Sequence, residues 1–311
     1  MRALVTGGAG FIGSHVVDAL AARGDEVLVI DDLSSGRREN LADAFDAGAR
    51  LVEASVTDAE AVAAAFAEFR PQLVCHLAAQ IDVRLSVTDP AYDLGVNAGG
   101  TISLLECSRT TGVERFVFAS TGGAIYGEGA GRDLPLDERS ECLPDAPYGQ
   151  SKFAAEGYLS LYRRLHGMAA VALRLGNVYG PRQDPHGEAG VVAIFSSALL
   201  AGQRPRVFGD GEQTRDYVYV GDVAAAFLAA AEADGGGPYN IGTGAETSVN
   251  ELGRRIAAQA GTDFDPEPAP ARLGEVQRIA IDAALAGREL GWRPSHELDR
   301  GLELTVASFR G

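Results

Sequence analysis

A tyrosine and a lysine four residues apart carry the chemistry that this sequence most clearly allows. Tyr148 and Lys152 stand in the run 147–152, and a helix there would place both side chains on one face. A neighbouring ammonium stabilises a phenolate, so the pair predicts a tyrosine whose pKa is lowered enough for it to act as a base. A glycine-rich turn near the N-terminus and the pair Ser120-Thr121 accompany it. Together these features indicate hydride chemistry at an alcohol carbon.

The elements that must position these residues alternate between strand and helix. Apolar, β-branched runs predict strands over 3–5, 26–30, 50–53, 72–76, 116–119 and 170–174. Helices are predicted over 11–23, 59–69, 101–112, 147–166 and 191–201. This order predicts an α/β fold, a Rossmann-like doubly wound parallel sheet with helices on both faces.

The regular alternation weakens after Gly180, where a loop rich in Pro, Gly and Asp begins. Segments 217–220 and 239–242 are predicted to return to the main sheet. We therefore expect a first, Rossmann-like domain over 1–176, with returning segments near 217–242. A smaller C-terminal α/β substrate domain, built mainly from 177–311, is predicted to be interleaved with it.

The composition limits the partners. The chain has 311 residues, 46% of them hydrophobic, and a formal net charge of −16. This charge predicts that neither nucleic acid nor an anionic membrane is a partner, and no apolar run approaches the ~20 residues of a membrane span. Cys75, Cys107 and Cys142 lack metal-ligand spacing and are predicted to be reduced, buried thiols. We expect a cytoplasmic protein without a metal, since the N-terminus leads directly into a strand.

A dinucleotide site is predicted where the first strand meets the first helix. Gly7, Gly10 and Gly13 are spaced G-x-x-G-x-x-G, which permits a tight turn and a close approach of the backbone to a pyrophosphate. Asp31 ends the second strand 18 residues after Gly13. A carboxylate there accepts hydrogen bonds from the adenosine ribose and repels a 2′-phosphate, which favours NAD over NADP. Arg37 lies farther along the same loop.

Over almost its whole length, the chain resembles the extended short-chain dehydrogenase/reductase family. The matching motifs are the glycine turn, the runs 31–36, 76–79, 96–97 and 120–127, the Tyr148/Lys152 pair, and the runs 174–181 and 214–220. Within the family, the resemblance is to members that invert C4 of a UDP-hexose, most closely of UDP-glucose and UDP-galactose. It implies tightly held NAD that is regenerated at each turnover through a 4-keto sugar.

The resemblance also implies roles for individual residues. Tyr148 would take the proton of the sugar 4-hydroxyl, Thr121 would hydrogen-bond the same oxygen, and Lys152 would bind the nicotinamide ribose. The implied cofactor-binding residues are Gly7, Gly10, Phe11, Ile12, Gly13, Asp31, Asp32, Ser35, Gly36, Ser55, Val56, Leu77, Ala78, Ala79, Asn97, Tyr148 and Lys152. The implied substrate-binding residues are Thr121, Tyr148, Asn177, Val191, Arg215, Arg272 and Glu275, with the two arginines on the diphosphate.

The chain departs from the family pattern at several positions. The family hydroxyl residue usually stands four residues before the tyrosine of the Tyr-Gly pair, where Gly122 stands here. We expect a local bulge at Gly122-Gly123, with Thr121 as the hydroxyl partner and Ser120 as the alternative. Ser55 replaces an Asp of many relatives near the adenine, and Ile81 replaces a Lys. Ile279 stands where relatives place a residue that gates the sugar C2 substituent, and it leaves N-acetyl sugars open.

Of three other functions that could use this fold, the residues argue against a dehydratase and a non-catalytic sensor and leave a uronate epimerase open. A 4,6-dehydratase needs an Asp-Glu pair directly after the catalytic Thr, where Gly122 and Gly123 stand. A uronate epimerase acting on UDP-glucuronate needs a cation for the C6 carboxylate, for which Arg182 and Arg84 are candidates. A non-catalytic NAD-sensing protein would not need both Tyr148 and Lys152. The resemblance further implies a homodimer through segments 101–112 and 147–166.

Overall fold

The computed structural model of the chain describes residues 1–186, 190–272 and 276–310. Its strands are β1 (Arg2–Thr6), β2 (Glu26–Asp31), β3 (Arg50–Glu53), β4 (Leu73–His76), β5 (Arg115–Thr121), β6 (Ala170–Leu175), β7 (Asn177–Tyr179), β8 (Arg206–Phe208), β9 (Thr214–Arg215), β10 (Tyr217–Tyr219), β11 (Tyr239–Ile241), β12 (Thr247–Ser248) and β13 (Glu267–Ala269). Seven of them form one parallel sheet in the order β11-β6-β5-β4-β1-β2-β3. The predicted doubly wound sheet is confirmed, with its order reversing between β1 and β4.

Helices connect these strands. They are α1 (Phe11–Ala22), α2 (Ala42–Asp46), α3 (Ala59–Phe69), α4 (Val83–Thr88), α5 (Pro90–Leu94), α6 (Gly100–Thr111), α7 (Gly122–Ile125), α8 (Pro147–His166), α9 (Val191–Leu200), α10 (Val220–Glu232), α11 (Val249–Ala260), α12 (Ala284–Glu289) and α13 (Leu298–Ser308). A 3-10 turn covers Arg38–Leu41 and a π-helical turn covers Gly95–Gly99. None of the helices in the described part of the chain is long and apolar enough to cross a membrane.

The main sheet is buried on both faces, as expected for parallel strands covered by helices. Successive residues of β1 show this directly, because Val5 belongs to the apolar cluster under α1 and α10 while Leu4 belongs to the cluster under α3, α6 and α8. Both residues are completely buried. A third cluster, which includes Phe195 and Leu252, joins α9, α11 and α13 away from the sheet. The central sheet is therefore a rigid support for the loops at its edge.

The C-terminal half contributes to both parts of the molecule. Tyr239–Ile241 pairs with β6 and extends the main sheet, as predicted. Tyr217–Tyr219 does not return to that sheet, and this prediction is wrong: it pairs with Asn177–Tyr179 in a separate two-stranded sheet. The domain boundary near residue 176 stays a prediction.

Helix α8 carries Tyr148 and Lys152, and its ends follow from the sequence. Pro147 occupies its first turn, where a missing N–H costs nothing. Gly167 ends it at φ +65°, in the left-handed conformation that favours glycine. The helix thus begins one residue before Tyr148, which fixes this side chain in the first turn.

Two local predictions need correction. No bulge occurs at Gly122-Gly123, because β5 continues to Thr121 in register with Leu175 and Gly122 then opens the short helix α7. A Cβ atom at Gly122 would lie 2.7 Å from Ile281 Cδ1, so this close packing explains the glycine. Among the cysteines, Cys75 is buried as predicted, whereas Cys107 and Cys142 are only half-buried; all three are free thiols.

Candidate active site

The turn between β1 and α1 has the geometry of a phosphate-binding loop. Gly7 has φ +69°, and a Cβ atom on Gly13 would lie 2.0 Å from the Gly7 carbonyl oxygen. These contacts require glycine, because any side chain would separate the helix from the strand. No side chain caps the start of α1 at Gly10, so the backbone N–H groups of its first turn, including Phe11 and Ile12, face a site suited to a pyrophosphate.

Asp31 organises the loop that follows β2. Its Oδ2 accepts a hydrogen bond from Ala9 N at 2.9 Å and its Oδ1 accepts one from Leu33 N at 2.9 Å. Burial raises the pKa of Asp31 above its ordinary value, although these backbone hydrogen bonds act to lower it. The carboxylate thereby joins the glycine turn to the second loop, and each oxygen retains a further lone pair for a ribose hydroxyl.

The residues beside Asp31 complete this loop. Asp32 Oδ1 accepts hydrogen bonds from the backbone N–H and the hydroxyl of Ser34, at 3.0 and 2.6 Å. Ser35 follows, and Gly36 packs so closely that a Cβ atom there would lie 2.7 Å from Asp31 Oδ1. The run 31–36 is thus one compact turn beside the phosphate loop.

The predicted adenine-side residues lie at the neighbouring strand ends. Ser55 Oγ is 2.9 Å from Thr57 Oγ1, so its hydroxyl is used within its own turn. Val56 is buried and packs against Gly100. A Cβ atom added to Gly100 would lie 2.9 Å from Cγ2 of Val56. This apolar surface fits an adenine ring, whereas the Ser55 hydroxyl is engaged with Thr57.

The segment after β4 approaches the glycine turn from the other side. Leu77 N and Ala78 N both donate to Thr6 O, at 3.0 and 3.1 Å. A Cβ atom on Gly7 would lie 2.6 Å from Ala78 N, so the run 77–79, which ends at Ala79, touches the phosphate loop directly. The predicted cofactor residues of β1, β2 and β4 therefore converge on one edge of the sheet.

His76 is a site residue that the sequence interpretation did not single out. Its Nδ1 lies 2.7 Å from Thr6 Oγ1 and its Nε2 lies 3.0 Å from Thr101 Oγ1. Thr101 donates its own hydroxyl proton to Asn97 O at 2.6 Å, so it accepts from His76 Nε2–H and fixes the tautomer. Burial and the charge of Lys152 hold the pKa of His76 well below its usual range. The sequence holds two signals for this buried histidine: it is the one polar residue in an otherwise apolar strand, and it begins the matched run 76–79.

The predicted catalytic side chains meet at the carboxyl ends of β5 and β6. Thr121 ends β5 and lies close enough to Tyr148 of α8 to lower the pKa of its phenol. Lys152 Nζ donates to Ala119 O at 2.9 Å and lies 4.7 Å from the centre of the Phe118 ring. The structure thus brings together Thr121, Tyr148 and Lys152, as predicted.

The predicted electrostatics of this pair are wrong for the chain by itself. The pKa of Tyr148 is raised to about 12, mainly by burial and also by the charge of Asp93, against the lowering effect of the Thr121 side chain. Lys152 is not among these causes, since its ammonium is directed at the Ala119 carbonyl. Burial also lowers the pKa of Lys152 to about 7, against the opposing effects of Asp93 and Glu156. Both groups are therefore pushed towards their neutral forms.

Ser120 faces a different network from Thr121. Its hydroxyl donates to Glu156 Oε1 at 2.5 Å, and Glu156 forms a buried ion pair with Arg174 at 2.7 Å. Arg174 Nη1 donates to Tyr126 OH at 2.8 Å. Sequence reasoning missed Glu156, although it lies four residues after Lys152. Because the Ser120 hydroxyl is committed to this network, Thr121 is the better candidate to contact substrate.

The side chains predicted to hold substrate lie on the C-terminal side of this edge. Asn177 begins β7. Its Oδ1 lies next to Gly123, two residues after Thr121, since a Cβ atom added to Gly123 would be 3.4 Å from it. Val191 opens α9 directly after Gly190. Asn177 therefore lies beside the segment that follows Thr121, whereas Val191 packs against the apolar cluster of α9, α11 and α13.

The arginines predicted on the diphosphate are held differently. Arg215 Nη1 donates to Thr214 O at 2.8 Å within β9. The Arg272 guanidinium lies 3.9 Å from the centre of the Phe208 ring, an arrangement that leaves its N–H edges available to phosphate oxygens. Glu275 lies outside the described residues.

Two side chains considered for a uronate carboxylate are engaged elsewhere. Arg182 Nη1 pairs with Asp18 Oδ2 at 2.6 Å, which ties the loop after β7 to helix α1. Arg84 is 80% exposed and lies 3.9 Å from Asp82. Ile279, proposed as a gate for the C2 substituent, is 2% exposed and packs among Tyr126, Leu136 and Ile281.

A doubly wound sheet with a tyrosine and a lysine beside the carboxyl ends of its strands defines the class of dinucleotide-dependent enzymes that move hydride at an oxygen-bearing carbon. The chain belongs to the NAD dependent epimerase/dehydratase family, whose model matches residues 3–242. Its cofactor is therefore NAD. The glycine turn, Asp31 and the run 77–79 fit this group, because they offer backbone N–H donors, a carboxylate and a close backbone approach.

Relatives of known activity are similar over the full length. The chain is 48% identical to the UDP-glucose 4-epimerase of Mycolicibacterium smegmatis, covering 100% of this chain and 99% of the relative. It is equally similar to a UDP-glucose 4-epimerase of Thermotoga maritima solved with UDP-glucose, at 48% identity, TM-score 0.96 and coverage of 100% and 99%. The UDP-glucose 4-epimerase of Thermus thermophilus, solved with NAD, is 47% identical with TM-score 0.93 and coverage of 100% and 99%.

Proposed function

We propose that the protein is an isomerase that interconverts UDP-glucose and UDP-galactose by transient oxidation at C4. The observation that carries this proposal is the convergence of Thr121, Tyr148 and Lys152 in a chain that is 48% identical to UDP-glucose 4-epimerases over its full length. Gly122 and Gly123 occupy the positions at which a dehydratase needs carboxyl groups, and a side chain at Gly122 would have to displace Ile281, whose Cδ1 would lie 2.7 Å from the added Cβ atom. This favours epimerisation over dehydration.

The chain's own residues supply the proton chemistry and the positioning. NAD, when bound, supplies the acceptor and donor of hydride. Burial raises the pKa of Tyr148 to about 12 in the chain alone, so its role as base would require the positive charge of the bound nicotinamide to stabilise the phenolate. As phenolate, Tyr148 would take the proton from the sugar 4-hydroxyl as C4 is oxidised, and it would return a proton to the same oxygen as C4 is reduced again. Thr121 hydrogen-bonds that oxygen, and Lys152 holds the nicotinamide ribose. Asn177, Arg215 and Arg272 hold the sugar nucleotide, which leaves the 4-keto sugar free to turn over within the site.

The proposal predicts conversion without added cofactor, because NAD that is regenerated at each turnover does not need to leave. We expect purified protein to convert UDP-galactose to UDP-glucose. The conversion is measured by NMR from the signals of the sugar anomeric protons. UDP-N-acetylgalactosamine and UDP-glucuronate are offered separately. We expect no conversion of UDP-glucuronate, since Arg182 is paired with Asp18.

Each outcome of this assay has a distinct meaning. Conversion of UDP-glucuronate alone would replace the proposed substrate with a uronate and would put Arg84 under test. No conversion of any of the three, with or without added NAD, would contradict the epimerase proposal and favour a non-catalytic NAD-sensing protein.

The choice between Thr121 and Ser120 is tested by two alanine variants. Thr121→Ala removes a hydrogen bond to a group that gains charge during reaction, worth about 1.5–3 kcal/mol, so we expect kcat to fall roughly 10- to 100-fold. Ser120→Ala removes a donor to Glu156 and is expected to lower the midpoint of thermal unfolding more than kcat. The measurements are steady-state kinetics and thermal unfolding of both variants. A larger loss of kcat in Ser120→Ala than in Thr121→Ala would reverse the assignment.

We also propose a homodimer, supported by the outward face of α8. Tyr158 and Leu165 are 40% and 65% exposed and lie seven residues apart, which places them on one side of the helix, whereas Phe153, 37% exposed, lies about 140° around the helix axis from Tyr158. Exposed apolar side chains aligned on a helix are suited to packing against a second copy. The adjacent helix α6 is joined to α8 by the hydrogen bond from Tyr162 OH to Glu106 Oε1, at 2.5 Å.

The cytoplasm is the proposed location. Three free cysteines, one of them buried, fit a reducing compartment. The acidic composition and the sugar-nucleotide substrate are consistent with it.

A further inference from the structure

Asp93 is a fully buried carboxylate that the mechanism above does not use. It lies in α5 with 0% exposure. Its Oδ1 accepts hydrogen bonds from Gln80 Nε2 at 2.8 Å and from Asn97 Nδ2 at 3.1 Å. Its Oδ2 is buried and has no hydrogen-bond partner among the described residues. A carboxylate in this state is costly, so its presence calls for a compensating role.

Hydrogen bonds connect Asp93 to the backbone of Tyr148. Asn97 lies in the π-helical turn Gly95–Gly99, a distortion often found at functional sites. Its Nδ2 is also 3.0 Å from Ser151 Oγ, and Ser151 Oγ donates to Tyr148 O at 3.0 Å. Two side chains therefore link the buried carboxylate to the residue that carries the reacting phenol.

Other contacts hold the same two elements together. Asn97 Oδ1 accepts a hydrogen bond from Gln80 N at 2.9 Å, so Gln80 is bound through both its backbone and its side chain. At the start of α8, Ser86 Oγ accepts a hydrogen bond from Tyr148 N at 3.1 Å. The segment from Gln80 to Asn97 thus holds the first turn of α8 from one side.

Asp93 is also the carboxylate that acts on both members of the catalytic pair. Its charge raises the pKa of Tyr148 and that of Lys152. Among the described residues, the other groups that face the pair are Glu156, His76 and Thr121. On α8, Glu156 raises the pKa of Lys152 but is itself paired with Arg174 of β6. His76 of β4 is held neutral by burial, and Thr121 of β5 lowers the pKa of Tyr148.

We propose that Asp93 is a positioning residue of the reaction: its hydrogen bonds through Asn97 and Ser151 fix the first turn of α8, and its fully buried carboxylate places a negative charge beside the Tyr148/Lys152 pair. The proposal rests on the proposed epimerase function. It explains why the chain keeps a buried carboxylate with one oxygen that has no hydrogen-bond partner among the described residues. This carboxylate opposes the effect of burial, which lowers the pKa of Lys152.

The test replaces the charge while keeping the shape. In Asp93→Asn, the loss of a negative charge that raises both pKa values lowers both, so Tyr148 ionises and Lys152 loses its proton at lower pH. We expect both limbs of the pH profile of kcat/KM to move to lower pH by about one unit. Asp89→Asn is the matched control, because Asp89 caps the same helix through Tyr92 N, an interaction that asparagine can also make. Its profile is expected to coincide with that of the wild type.

A charge-retaining variant separates positioning by charge from packing. Asp93→Glu keeps the negative charge but disturbs the hydrogen bonds. We therefore expect both limbs of its pH profile of kcat/KM to stay at the wild-type pH, even if its kcat is lower. Asp93→Ser removes the same charge with less bulk and is measured if Asp93→Asn does not fold. Limbs at wild-type pH in a folded, uncharged variant, with only kcat or stability reduced, would overturn the proposal and leave Asp93 a packing residue.

A second readout does not depend on turnover. Tyrosinate absorbance is titrated in wild type and in Asp93→Asn, each against its own Tyr148→Phe counterpart, which isolates Tyr148. We expect the titration of Tyr148 to begin at lower pH in Asp93→Asn. An unchanged titration would refute the charge effect even in an enzyme of unknown substrate. Absence of UDP-galactose conversion by the wild type, by contrast, would defeat the proposed function without bearing on this titration.

Discussion

Replacement of Tyr148 by phenylalanine is expected to lower kcat by about 10²- to 10⁴-fold, the range that general acid–base catalysis contributes. The hydroxyl is the only group of Tyr148 that is removed, and its aromatic ring stays. The backbone of the residue is held independently, by Ser86 Oγ at its N–H and by Ser151 Oγ at its carbonyl. The variant should therefore fold and keep its cofactor while losing the proton acceptor.

The measurement is the rate of UDP-galactose conversion together with the NAD released on denaturation of the purified protein. Tyr158→Phe provides a matched control, because Tyr158 lies on the same helix with 40% of its surface exposed. Its turnover is expected to equal that of the wild type. Turnover near wild type in Tyr148→Phe would remove the tyrosine from the mechanism, and the role of Thr121 would then need a new basis.

The parts of the fold that the sequence predicts well depend on local physics. The turn at Gly7 and Gly13 needs glycine because a Cβ atom would collide with neighbouring backbone, and this requirement is visible in the spacing alone. The bounds of α8 follow from Pro147 and Gly167 in the same way. The resemblance to a family then added the pairing of Tyr148 with Thr121, which no local pattern contains.

The parts that were missed depend on contacts between distant segments. His76 is interpretable only once Thr6 and Thr101 are known to flank it, 70 and 25 residues away in sequence. The predicted bulge at Gly122 was wrong because the glycine accommodates Ile281, which lies far along the chain. The pKa of Tyr148 was also predicted in the wrong direction, since burial outweighs the charge of a lysine that is directed elsewhere.

The buried pair of Glu156 and Arg174 carries the largest expected effect on stability. Their side chains are 7% and 5% exposed, and all three guanidinium nitrogens of Arg174 donate to Glu156 or Tyr126. Burial acts to lower the pKa of Arg174, but the hydrogen bonds and charge of Glu156 raise it above its ordinary value. Two oppositely charged groups in this environment are stable only together.

Arg174→Met is expected to lower the free energy of unfolding by about 3–5 kcal/mol, because it leaves the Glu156 carboxylate buried without a counter-charge. Chemical denaturation monitored by circular dichroism measures the change. Arg109→Met is the control, since Arg109 pairs with Glu106 on an exposed surface and its loss is expected to leave the unfolding midpoint unchanged.

The double variant Glu156→Leu/Arg174→Met decides whether the effect comes from the unpaired charge or from lost volume. Removing both charges leaves no buried ion, so we expect it to recover most of the stability that Arg174→Met loses. It also removes the acceptor of Ser120 and one carboxylate that raises the pKa of Lys152. Its kcat should therefore stay below that of the wild type even where stability returns. If the double variant is as unstable as Arg174→Met, the pair stabilises the protein through packing and not through its charges.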